Sequence, residues 1–129
     1  MSIEVAADKL AEAVDGYLVA YLLTLGDRPR PHVAAVSATV AERIVRVRGA
    51  GRTASSDIGG HDAVTLLWPA PEPGGYSLIV DGTATIVGDQ LEVVPLRAVL
   101  HRPAPAVEPT DGPCAADCLE LTVERPADT

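Results

Sequence analysis

Two spacings of apolar residues alternate along the chain, and each predicts a different element. Near the start, Ile3, Ala7, Leu10 and Val14 recur at steps of four, three and four, which places them on one stripe of a helix. Glu4, Asp8 and Glu12 lie on another face of that helix, with Ser2 positioned to cap it and Gly16 to end it. From residue 17 the period changes. YLVAYLLTL (17–25) is apolar on both faces, as in a central strand covered on two sides. GDRPRP (26–31) is a turn and HVAAVSATV (32–40) a second strand. AERIVRVRG (41–49) makes a third, with Ile44, Arg46 and Arg48 on one face and Val45 and Val47 on the other.

A short helix is predicted next, followed by a strand at AVTLLWP (63–69) and a stiff loop at PAPEPGG (69–75). YSLIVDGTATIVG (76–88) predicts a long strand in which Gly82 marks a bulge or bend, and LEVVP (91–95) another strand. Residues 96–113 are proline-rich and read as irregular apart from a helical turn at LRAVLH; CLELTVER (118–125) predicts a closing strand. Six or seven short strands with only small helices between them predict a mainly β, six-stranded antiparallel barrel, as a single domain over residues 1–129.

Composition sharpens this picture. The core must be aliphatic, because there is no Phe, one Trp (Trp68) and three Tyr. The chain is acidic, with 18 Asp and Glu against 10 Lys and Arg, which argues against a nucleic-acid partner. No apolar run reaches the length of a membrane span, and Glu4 and Asp8 stand where a signal peptide carries positive charge. The expectation is a cytoplasmic protein with no membrane partner, and the two cysteines, Cys114 and Cys118, fit that compartment. Nine of the ten basic residues are Arg, with Lys9 the exception, a bias that carries no functional weight.

Against that acidic background, VRGAGRTASSDIGG (47–60) stands out. Its GAGRTA matches the G-x-G-x-x-A dinucleotide fingerprint, but the preceding strand is amphipathic and the helical segment short, so a Rossmann unit is not indicated. A phosphate cradle of another kind fits better. Gly49 and Gly51 allow a tight turn, and the following helix start presents free N–H groups and the positive end of its dipole. Arg52 supplies a planar fork for two phosphate oxygens, while Thr53, Ser55 and Ser56 supply hydroxyls. On spacing alone, an equal alternative is that Thr53 or Ser55 caps the helix and the arginines are merely solvated.

The succession GDRPRPHVAAV, RIVRVRG, GRTASSDI, VTLLWP, LIVDGTA and AVLHRP resembles the pyridoxamine 5′-phosphate oxidase-like family, the FMN-binding split β-barrel proteins, over roughly residues 15–125. The resemblance implies a homodimer with flavin sites along the subunit interface. It implies that the phosphate is held where the third strand ends and the next helix begins, with Arg52 as the arginine and Thr53 standing where lysine is common. Arg46, Val47 and Arg48 take the strand end that meets the phosphate and ribityl chain, and Ser37 and Ser77 the positions near the ring. The cofactor so implied is FMN, or F420 as the alternative, in a small oxidoreductase. A rival of another class is a non-catalytic module that binds or stores flavin or haem. The Trp- and Arg-bearing C-terminal segment of true pyridoxamine-phosphate oxidases is not matched by CLELTVERPADT.

His101 and His32 are further proton-donor candidates, although packing accounts for either, and His61 in its glycine turn reads as solvated. Cys114 and Cys118 are not a C-x-x-C pair and read as buried thiols or an incidental disulfide. Trp68 reads as a barrel plug before a ligand-stacking residue. No pair of histidines or acids has metal-ligand spacing.

Overall fold

The computed structural model describes residues 2–104. Seven strands, β1 (Ser2–Glu4), β2 (Ala20–Thr24), β3 (His32–Ala41), β4 (Ile44–Arg48), β5 (Ala63–Trp68), β6 (Ser77–Val87) and β7 (Gln90–His101), are joined with two short helices, α1 (Leu10–Ala13) and α2 (Gly51–Gly60). The sheet order β1-β7-β4-β3-β2-β5-β6, with β6 also paired to β7, closes β2–β7 into a six-stranded barrel in which every pairing is antiparallel. Closure leaves no free edge in that ring, while β1 takes the stretch of β7 beyond the β4 ladder.

Alternation along the strands fills the barrel. Val45 and Val47 point inward and are fully buried while Arg46 and Arg48 point out. Leu22, Leu66, Leu78, Val80 and Val93 are likewise fully buried, and Trp68 plugs the same core. Val64, Leu66 and Trp68 from β5 meet Leu78 and Val80 from β6, so the aliphatic core that composition required is built from inward-facing alternate residues. β2 is central, between β3 and β5; its inward residues are buried, whereas outward Tyr21 and Leu23 are half-buried. The long β6 kinks where predicted. Its register with β7 shifts at Asp81/Gly82, and a Cβ on Gly82 would lie 2.5 Å from the Val94 carbonyl oxygen.

Two expectations are corrected. The predicted helix over residues 3–14 exists only as a 3₁₀ turn at Ala7–Lys9 and α1, because Ser2–Glu4 instead pair with Val99–His101 of β7. A backbone ladder offered by that open stretch outweighs a short helix that buries only Leu10 among the residues of α1. Likewise LRAVLH is strand, not a helical turn: β7 runs through it, paired with β6 along its length and with β1 at its end. Gly16 does take the left-handed conformation (φ +94°) suited to ending α1's turn. The predicted strand 118–125 and both cysteines lie outside the described residues.

Candidate functional site

β4 delivers the chain to a cradle at one end of the barrel. Val47 anchors its last buried position, after which Gly49 (φ +84°) and Gly51 (φ +89°) adopt left-handed conformations that a side chain would resist. This double turn starts α2 with Ala50 at the N-cap and no side-chain cap, so neither Thr53 nor Ser55 takes the capping role. The first-turn amides of α2 therefore keep their donor capacity and the positive end of the helix dipole.

These groups open onto a cavity of ≈ 420 Å³, within the range of small-ligand sites. Val47, Gly49, Ala50, Gly51, Arg52 and Ser55 line one side. The tip of the β6–β7 hairpin, including Gly88, Asp89 and Gln90, lines the other. Arg52 is exposed and makes no ion pair among the described residues, which leaves its five donors available. Asp89 sets a negative charge in the same wall, while Ser55 and Gln90 add neutral polar groups. The donor set suits an anion of phosphate size and geometry: backbone N–H groups, a guanidinium and a hydroxyl converge on one concavity.

The remaining sequence candidates are distributed more widely. Thr53 is exposed on α2 but off the cavity wall. Arg46 and Arg48 share the outer face of β4, where Arg48 sits opposite Ser37 of β3. Arg46 Nε lies 3.3 Å from Glu92 Oε2, its cross-strand partner, so part of its charge is already answered. Ser77 is at the far end of β6 from Ile86 on the cavity wall, about 30 Å along the strand at the usual rise. Its Oγ accepts a hydrogen bond from the Ala70 amide (3.0 Å). One chain thus brings together Val47 and Arg52, and separately Ser37 with Arg48, but not Ser77 with either group.

None of the three histidines lines this cavity. His101 is exposed at the end of β7, its Nδ1 3.3 Å from Ser2 Oγ, and Arg102 stacks over Tyr76 at 4.7 Å. His61 Nε2 is 3.6 Å from Asp27 Oδ1 at the surface, and His32 is half-buried at the start of β3. Among the described residues, no three His, Cys, Asp or Glu cluster as a metal site would require, and no helix is long and apolar enough to cross a membrane.

Sequence reasoning passed over a third feature, the carboxylate of Asp57. It is buried on α2, and it accepts hydrogen bonds from Thr24 Oγ1 (2.7 Å), Arg28 Nη1 (3.0 Å) and Arg28 Nη2 (2.9 Å). Arg28's two-pronged hydrogen bond, helped by Thr24, holds the carboxyl below the usual carboxylate range despite its burial. The same contact holds the Arg28 guanidinium above its ordinary value. Gly26 passes so close beneath that a side chain there would collide with the Asp57 carboxylate. The available signal was an acid at the 54–57–58 spacing of an apolar helix stripe, between Ala54 and Ile58.

Comparison with known proteins places these features. No protein-family model matches the chain. Two mycobacterial proteins, one from Mycobacterium bovis and one from Mycobacterium tuberculosis, are each 36% identical over 132 residues, covering 89% of this chain and 93% of theirs; both are described only as uncharacterized proteins. Among solved structures, the FAD binding protein of Mycobacterium smegmatis superposes with a TM-score of 0.60 at 20% identity, covering 79% of this chain and 100% of that one. A candidate pyridoxamine 5′-phosphate oxidase of Listeria innocua gives 0.60 at 14% identity, covering 73% and 96%. A FAD-binding protein of Mesorhizobium loti gives 0.58 at 11% identity, covering 78% and 96%.

The molecule thus has the split β-barrel fold of these solved structures, the fold that its sequence resemblance implied. Within that class, the chain belongs to the family of the two mycobacterial proteins.

Proposed function

We propose that the protein binds a flavin-type cofactor, FMN or the deazaflavin F420, and uses it as a small homodimeric oxidoreductase. One observation carries the reading: on a barrel whose structural neighbours include FAD-binding proteins, an Arg without an ion pair and the uncapped start of α2 open into one cavity. Arg52 and the α2 amides hold the terminal phosphate, with Ser55 beside them in place of Thr53. Arg48 and Ser37, on the outer sheet face, are left for the ribityl chain and ring. The bound flavin ring supplies the hydride acceptor, so the protein's own task is to fix the phosphate and orient the ring.

The homodimer is supported by geometry. Ser77 cannot reach the cradle of its own chain, and the outer face carries exposed Leu25, Val33 and Leu96. A second copy seated on that face covers these side chains and brings residues of two chains to one ligand. The test is a titration of the purified protein with FMN and F420. Arg52→Ala is expected to weaken binding by about 1.5–3 kcal/mol, the value of a hydrogen bond to a charged group. Equal affinity in that variant removes the phosphate role.

A second reading, a flavin carrier without turnover, is favoured by two neighbours being described as binding proteins. Bound cofactor that neither NAD(P)H nor a reduced deazaflavin donor can reduce would support the carrier; reduction followed by reoxidation with an acceptor would support the enzyme.

A further inference from the structure

α2 carries the arginine and amides of the cradle, yet very little apolar surface holds it to the barrel. Of its ten residues only Ala54, Asp57 and Ile58 are buried. Two of those contacts are aliphatic, hence non-directional, and leave the helix free to tilt and turn about them. The third is the Asp57 carboxylate, and it is directional. The Arg28 fork engages both of its oxygens at 3.0 and 2.9 Å, and Thr24 donates to one of them from the end of β2. Arg28 belongs to the β2–β3 turn, so the contact ties α2 to two separate points of the barrel wall. Gly26 leaves that turn the room to pass under the carboxylate.

Asp57 cannot itself touch what Arg52 grips. They stand five positions apart, which is about 140° around the helix and about 7.5 Å along its axis. Asp57 therefore faces the barrel when Arg52 faces the cavity. We propose that the Thr24–Arg28–Asp57 cluster is a positioning clamp, which sets the height and rotation of α2 and so aims Arg52 and the first-turn amides at the ligand's phosphate. The clamp rests on the phosphate reading above, and its test separates the two.

Wild type, Asp57→Asn and Arg28→Lys, each alone and on an Arg52→Ala background, are titrated with FMN and with riboflavin, which lacks the phosphate. Asparagine keeps the shape of Asp57 without its charge; lysine keeps the charge of Arg28 but cannot span both oxygens. Both variants are expected to lose about tenfold in FMN affinity and to hold riboflavin within about twofold. Once Arg52 is alanine, either change should cost clearly less than the roughly tenfold seen with Arg52 present, because only the first-turn amides are then left for the clamp to aim. Unchanged FMN affinity, an equal loss for riboflavin, or an undiminished loss on the Arg52→Ala background overturns the clamp. Arg28→Lys carries the test if Asp57→Asn fails to fold.

Amide hydrogen exchange provides a readout without ligand. In the folded variants the amides of residues 55–60 should exchange about tenfold faster while those of β5 and β6 hold. A uniform rise across the barrel would reduce Asp57 to a stability residue and overturn the positioning role. A wild type that binds neither FMN nor riboflavin sinks the FMN reading, and the exchange result alone then decides the clamp.

Discussion

Asp57 is the residue whose chemistry departs furthest from its position in the sequence pattern. A carboxylate on an apolar stripe stays ionised because Arg28 and Thr24 supply three hydrogen bonds to it. Its folded pKa is depressed, so the stability it contributes is present above the unfolded carboxylate value, about 3.9, and is lost as pH falls through the lower folded value. Thermal unfolding followed against pH should therefore show Asp57→Asn melting below wild type at neutral pH. The gap should narrow below about pH 4 as the wild-type carboxylate becomes protonated. A gap independent of pH would mean that the charge is not what stabilises the fold. Thr24→Val, which removes one charge-assisted donor from a fully buried site, is expected to cost about 1.5–3 kcal/mol in denaturant unfolding. The sequence displayed Arg52 openly, as a guanidinium after a glycine turn. It concealed Asp57, whose partners lie 33 and 29 positions away across a turn and two elements.

At the level of elements, legibility followed how many neighbours each segment's pattern had to satisfy. β3, β5 and β6 carry alternating or continuous apolar runs and were readable to within a residue or two, while β4 was read three residues too early at its start and one too far at its end. The first fourteen residues and the second half of β7 mislead together, because each is defined by the other. Ser2–Glu4 become a strand only because Val99–His101 offer a partner, and no local periodicity reports a pairing nearly a hundred residues distant. The β3–β4 hairpin was also locally silent. Glu42 and Arg43 both take positive φ (52° and 70°), as a two-residue primed turn requires, without the Asn-Gly that usually announces one. Replacing Arg43 with Gly should relieve that conformation and stabilise the protein by about 1 kcal/mol in a denaturant titration. A destabilised Arg43→Gly would mean the side chain contributes more than its backbone costs. On the barrel wall, Leu22→Ala removes a fully buried side chain and should cost about 2–5 kcal/mol by the same measurement.

For the whole molecule, charge and surface set the remaining expectations. With a net charge of −8, the protein as a whole repels anions, so the proposed hold on an anionic cofactor has to be local, at the end of the barrel where α2 begins. The proposed homodimer would cover exposed apolar side chains on the outer face, and light scattering should then return twice the 13.4 kDa chain mass. Leu96, 73% exposed, is the side chain to charge: Leu96→Glu should shift the molecule toward monomer, and a monomeric wild type would remove the shared-site arrangement. What the strand pattern could state was the antiparallel barrel, and the composition its aliphatic core; what neither could state was which loops meet at its mouth, since the β6–β7 tip joins α2 through tertiary closure alone. The decisive measurement is the ratio of riboflavin to FMN dissociation constants, taken for wild type and for Arg52→Ala. A phosphate gripped by Arg52 makes FMN bind wild type at least about tenfold tighter, with the ratio falling toward one in the variant. The same ratio in both proteins would show that the guanidinium holds no phosphate.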